Sequence, residues 1–263
     1  MKKIFLTGAS SGIGWAIAER LWAEGHEVWG TARDAERVPV FARLHAVALD
    51  LADAGAVRPS FEAALADAGY FDVVINNAGS GHFDPAASVS TEMVAQQFQV
   101  LALAQIQLCQ LGLAAMQQSG GGMIINISSM AARLPVPYMS AYNAAKAAMA
   151  SFTMTLQLEL AGSNIHVIDI QPADIRTSFN DAVVKAKPID PALAQVWAQV
   201  DRNMNEAPPP DLVARRVSRL IEEANPPPRI TIGGFFQATV APLIFKLLPQ
   251  RLRLWGLKKY YRL

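Results

Sequence analysis

The chain has 263 residues, 52% hydrophobic and 17% charged, a composition that excludes intrinsic disorder and suits one large core rather than two. Its 23 basic and 22 acidic residues leave a net charge of +1, too even for a protein that binds nucleic acid by neutralising phosphates. No nucleic-acid partner is expected.

In chain order, short apolar and often β-branched runs predict strands over residues 4–6, 27–31, 45–49, 73–75, 123–127 and 166–170. Helical spacing fills 14–23, 54–68, 92–116, 142–160 and, later, 211–223. Strands alternating with helices predict a doubly wound parallel sheet, a Rossmann-like three-layer α/β sandwich, as a single domain over 1–263. Only three apolar residues precede Thr7 and Gly8, too few for a secretory signal, so a cytoplasmic protein is expected. The charge-free run 93–132 is rich in glutamine and ends in Gly120, Gly121 and Gly122, which argues against a spanning helix. Cys109 is the sole cysteine, so no intrachain disulfide can form, and a small core residue is expected there. Residues 178–210 are broken by Pro188, Pro191 and 208–210 and read as a lid outside the sheet. A last strand at 229–232 leads into an apolar, basic tail, 233–263.

The first strand runs into Thr7-Gly8-Ala9-Ser10-Ser11-Gly12-Ile13-Gly14 and then a helix. Glycines there permit a tight turn and close approach of a pyrophosphate, and the helix start offers free amides. The spacing, Gly-x3-Gly-x-Gly, departs from the general dinucleotide fingerprint, and an ordinary strand–helix turn would read similarly. After the second strand, Arg33 is placed for the 2′-phosphate of NADP(H), with Ser10 or Ser11 helping, or is a solvated loop cation; Asp34, which would favour NAD(H), lies one residue too far. Further on, Tyr142 and Lys146 stand one helical turn apart on one face, where an ammonium would lower the phenol's pKa. Thirteen residues before the tyrosine, Ser128-Ser129 ends a strand at the edge where such sheets bind ligands.

These pieces together resemble the short-chain dehydrogenase/reductase family: 7–14, Asn76-Asn77-Ala78-Gly79, Ser129, Tyr142-x3-Lys146 and 172–177, in the family's order over residues 1 to 180. The resemblance implies hydride transfer between NADP(H) and a carbonyl or alcohol. Tyr142 would be the acid or base, with Lys146 lowering its pKa and binding ribose, and Ser129 orienting the substrate oxygen. It implies cofactor contacts from Gly8, Ser10, Ser11, Gly12, Ile13, Gly14 and Arg33. Asp50 and Leu51 would hold the adenine, Asn77, Ala78 and Gly79 the ribose, and Pro172, Ile175 and Thr177 the carboxamide side. Two departures stand out. Leu101 occupies the place of an asparagine that completes the family's catalytic tetrad, where the backbone carbonyl could still hold a water, and Ala173 replaces a common glycine. Leu101 also leaves open a non-catalytic NADP-sensing or scaffolding protein on the same fold.

Phe83, Leu134, Val136, Met139, Phe179 and Val183 surround the expected substrate region and favour a small hydrophobic carbonyl or alcohol. His82 reads as a polar loop residue or a substrate contact. Without a Cys/His/Asp cluster at ligand spacing, no metal is expected. Residues 224–263 hold seven Lys or Arg and no acid, so the tail packs on its own domain or a neighbouring subunit, or lies on an anionic membrane as a peripheral segment. Finally, 93–158 contains only Arg133 and Lys146 as charges. At 100° per residue Gln96, Gln99, Gln107 and Gln110 form one narrow polar stripe there. In the resembling family these helices pair across a two-fold, which implies a homodimer or homotetramer.

Overall fold

Period-two alternation decides which side chain enters which layer. In a computed structural model, which describes residues 1–39, 41–185 and 190–263, strand β1 (Lys3–Leu6) sends Ile4 and Leu6 to one face and Phe5 to the other. The chain continues through α1 (Gly12–Ala23), β2 (Glu27–Ala32), β3 (Leu44–Ala48), α2 (Ala54–Ala68), β4 (Val73–Asn76) and β5 (His82–Phe83). Next come α3 (Thr91–Phe98), a π-helical turn (Gln99–Leu103), α4 (Ala104–Ser119), β6 (Gly122–Ile127), α5 (Ser140–Glu159) and β7 (Ile165–Pro172). The last part holds β8 (Val184–Lys185), α6 (Pro191–Glu206), α7 (Asp211–Leu220), β9 (Arg229–Ile232), α8 (Ala241–Leu247) and α9 (Gln250–Tyr261).

Seven strands form one parallel sheet in the order β3-β2-β1-β4-β6-β7-β9, the doubly wound arrangement expected. Strand order reverses beside β1, and ligands in such sheets lie outside the strand carboxyl ends at that point. Helices α1 and α7 cover one face, where Ile17, Leu21, Val213 and Val217 meet Leu6, Ile75, Ile125 and Ile168. On the other, α2, α4 and α5 bring Phe61, Leu108 and Leu156 against Phe5, Val74, Ile124 and Val167. The continuous helix Thr91–Ser119 is long and apolar enough to cross a membrane by composition, yet Leu108, Cys109, Leu111 and Met116 are buried on the sheet side. Cys109 is the core residue expected, and burial pushes its thiol up to about 12.

The lid lies outside the main sheet. Its β8 pairs with β5, and α6 packs against α9 over a third apolar core of Phe83, Met139, Val183, Leu193, Val196 and Tyr261. Residues 186–189 of the lid, Pro188 included, lie outside the described residues. His82 is not a loop residue: it is buried in β5 and does not line the main cavity. The π-helical turn also disturbs the glutamine stripe, because its wider turn rotates α4 out of phase with α3. Gln99 reaches inward to the Leu51 carbonyl at 3.1 Å, so the four glutamines do not form one free strip.

Candidate active site

Backbone geometry shapes one end of the site. Gly8 and Gly12 have φ of +72° and +55°, in the left-handed region. A Cβ on Gly14 would stand 2.0 Å from the Gly8 carbonyl oxygen, so only glycine lets the loop close this tightly. The loop is tied to the end of β4: Thr7 Oγ1 accepts the Asn77 and Ala78 amides at 2.9 and 3.0 Å, and Asn77 Nδ2 donates to the Thr7 carbonyl at 2.9 Å. Ser11 precedes α1 without a side-chain capping bond, leaving its hydroxyl and the first helical amides for a ligand. This tightly closed loop, with its free hydroxyl and amides lining the cavity, fits the pyrophosphate of a dinucleotide.

From the loop a cavity of about 1030 Å³ runs along the strand ends. Every residue expected to be catalytic or to hold the cofactor lines it, including Arg33, Asp50, Leu51, Gly79, Ser129, Tyr142, Lys146, Pro172 and Ile175. Arg37 lines it too, a second cation beside Arg33 that spacing from the glycines did not single out. Asp34 takes a structural post, accepting the Glu36 amide at 3.1 Å.

Helix α5 and the ends of β6 and β7 build the centre. Lys146 is almost wholly buried, and its Nζ donates to the Ile127 carbonyl at 2.8 Å while standing 6.0 Å from the Tyr142 ring centroid. Burial lowers its pKa to about 8, with Asp169 opposing the fall. The Tyr142 phenol is held above its ordinary value: burial dominates, the Ser129 hydroxyl works against it, and Asp174 adds to it. The expected lowering by Lys146 is therefore overturned for the protein's own groups, because desolvation penalises phenolate and ammonium alike. The two serines divide their duties. Ser129 faces Tyr142 and caps the turn Met130–Ala132, while Ser128 is buried and donates to the Asp169 carboxylate. Asp169 also accepts from Gln171 Nε2 and Arg229 Nε, each at 2.8 Å.

Leu101 is fully buried and does not line the cavity; its side chain fills the space beside Gly79. One turn earlier, Gln97 does line it. That side chain is 3% exposed, its Nε2 donates to Ser80 Oγ at 3.0 Å, and its Oε1 has no partner among the described residues. The sequence signal for Gln97 was its place four residues before Leu101, on the same helical side.

Toward the other end the walls turn apolar. Leu134, Val136, Met139 and Phe179 line the cavity as expected, whereas Phe83 and Val183 lie behind it in the third core. The tail contributes Phe236, Ile244, Phe245, Leu248, Leu252 and Leu257, residues that sequence reasoning left out of the site. Gln237 Nε2 bonds both the Asp174 carboxylate at 2.6 Å and the Tyr260 hydroxyl at 2.8 Å, joining the tail to the loop after β7.

Residues 2–188 match the sequence model of the short chain dehydrogenase family. The chain belongs to that family. This short-chain dehydrogenase is 27% identical over 265 residues to a 3-ketodihydrosphingosine reductase of Bacteroides thetaiotaomicron, covering 98% of this chain and 97% of that protein. It is 30% identical over 220 residues to an NADPH-dependent 3-dehydrocapnine reductase of Ornithobacterium rhinotracheale, covering 78% and 77%. Among solved structures, a short-chain dehydrogenase from Streptomyces avermitilis superposes with a TM-score of 0.84 at 29% identity, over 99% of this chain and 97% of that one. The family is one of oxidoreductases that use a nicotinamide dinucleotide.

Proposed function

We propose that this short-chain dehydrogenase is an NADP(H)-dependent oxidoreductase that interconverts a carbonyl and an alcohol on a small hydrophobic substrate, with Tyr142 as the acid or base. One observation carries the reading: Ser129, Tyr142 and Lys146 converge on the cavity that begins at the glycine cradle and ends between apolar walls. Arg33 and Arg37, both lining the far end, favour a 2′-phosphate, and Asp34, which follows Arg33, is engaged in a cap. One relative is named as NADPH-dependent, and two are named as reductases of a 3-keto or 3-dehydro compound.

The glycine cradle and the α1 amides hold the pyrophosphate, and Asp50 and Leu51 border the adenine. When bound, the nicotinamide supplies or receives the hydride at the substrate carbon. In reduction, the Tyr142 Oη–H donates its proton to the carbonyl oxygen, converting C=O to CH–OH, while the Ser129 hydroxyl orients that oxygen. A phenol held above its ordinary pKa is protonated at neutral pH, the state that proton donation in reduction requires. Lys146, charged below about pH 8, would hold the ribose and stabilise the phenolate left behind. With Leu101 buried away from the cavity, Gln97 is the polar side chain of that helix that reaches it where the family's asparagine is missing.

A panel of ketones, aldehydes and alcohols followed at the nicotinamide absorbance tests the reading. NADPH should exceed NADH, and Tyr142→Phe should lower kcat/KM by about 10²- to 10⁴-fold while retaining NADPH binding. Binding without turnover of any member would instead indicate a sensor. We also infer a homodimer or homotetramer, because Leu103, Met154 and Leu158 stand exposed on the nearly charge-free face around α4 and α5. Light scattering at micromolar concentration checks this, and a monomer refutes it.

A further inference from the structure

The tail shows two different sides. Inward, Leu257 and Tyr261 pack into the third core, and Asn203 Nδ2 donates to the Tyr260 hydroxyl at 2.9 Å, so α9 is fastened to the lid. Outward, it is strongly apolar. Ten of the seventeen large hydrophobic side chains that stand exposed among the described residues fall in 235–263, among them Phe235, Leu243, Leu247, Leu254 and Trp255. Six Lys or Arg and no acid share that stretch, and none of the six makes an ion pair among the described residues.

The cavity lining reaches this same surface. Phe236, Ile244 and Leu252 line the cavity and are nonetheless 60%, 47% and 48% exposed. With α8 at 7 residues and α9 at 12, neither helix can span a hydrocarbon core, which takes about 20 residues. Basic residues set among exposed aromatic and aliphatic ones suit a segment lying in the plane of an anionic interface. A second copy is a poor occupant, because a two-fold contact would press two all-cationic patches together.

We propose that the outer face of α8 and α9 seats in the interface of an anionic lipid bilayer, and that the cavity takes a lipid-soluble carbonyl or alcohol through it. The second half rests on the chemistry proposed above; the first does not.

The test is flotation of the full chain with vesicles of phosphatidylglycerol and phosphatidylcholine, against vesicles of phosphatidylcholine alone. At about 0.1 M salt the chain should float with the anionic vesicles and stay behind with the neutral ones, and about 1 M salt should release it. The triple variant Leu243→Glu, Leu247→Glu, Trp255→Glu and the double variant Lys258→Glu, Lys259→Glu should each weaken partition at least about tenfold. All these residues lie outside the cavity lining, and unchanged NADPH fluorescence enhancement would show both variants folded. No flotation, equal flotation with both vesicles, or unaltered variants would overturn the proposal. So would self-association of the chain that the triple variant abolishes while vesicles leave it unbound. In activity, the triple variant should keep turnover of a water-soluble ketone and lose that of a vesicle-borne one. Absence of all ketone turnover would sink the proposed chemistry and leave the flotation result standing.

Discussion

The two ends of the cavity are built by different means. At the cofactor end, strand termini and a glycine turn approach so closely that backbone atoms bound the space, as where Gly14 meets the Gly8 carbonyl. At the substrate end, lid and tail side chains bound it, and Gly81 shows the contrast: a Cβ there would meet Val183 Cγ2, Phe179 Cζ and Met139 Cε at 2.9 to 3.1 Å. Backbone cannot yield without dismantling the sheet, whereas the ends of side chains can. The cofactor end is therefore intolerant and the substrate end adaptable, which suits one cofactor and variable substrates.

The sharpest way to break this comparison is a pair of glycine substitutions. Gly14→Ala should lower Tm by the equivalent of about 1–3 kcal/mol and abolish NADPH binding in titrations, while Gly81→Ala should mainly change KM for the substrate. Equal damage at both would show that the substrate end is as rigid as the cofactor end. Next in size, Arg33→Ala should raise KM for NADPH by about 10- to 100-fold, the worth of a charge-assisted bond, and leave NADH unaffected. Arg37→Ala should act in the same direction, and an unchanged NADPH preference in both would detach the cations from the 2′-phosphate.

A pH profile probes the junction of the two ends. Lys146 is depressed to about 8, so it is charged below that pH and loses its proton as pH rises through it. Turnover that needs the cation should fall on the alkaline side with a midpoint near 8, and Lys146→Arg, which stays charged, should lose that limb. Smallest of all, Tyr260→Phe removes the hydroxyl that accepts from Gln237 and Asn203 and should cost about 0.5–1.5 kcal/mol in thermal unfolding. Its effect on KM for the substrate should exceed its effect on KM for NADPH; the reverse would mean that the Gln237–Asp174 link serves the cofactor end.

Much of the sheet was legible because its cause is local. The runs at 4–6, 73–75 and 123–127 lie within one residue of observed strands, since period-two alternation and flanking turn residues act over a few positions. The glycine loop was legible for a related reason, a short pattern whose spacing carries its geometry, whereas Ser129, Tyr142 and Lys146 were singled out by the family resemblance. The 3.6-residue period failed where its premise failed, at the π-helical turn, which turned Gln99 inward. The tail's part in the cavity was hidden because contact between residues 236–261 and the ends of β6 and β7 depends on the path of the whole lid.

Titration behaviour was hidden too. An ammonium one turn from a phenol predicts a lowered pKa in water, but the fold buries both groups, and the cost of desolvation reverses the direction. Sequence alone settled the doubly wound sheet and the glycine loop, because these follow from periodicity and from residues with unique backbone properties. Tertiary structure alone decided that Leu101 is core and Gln97 lines the cavity, that Arg37 joins Arg33, and that the basic tail is a cavity wall. Those outcomes depend on which distant surfaces exclude water together, a property no local pattern encodes.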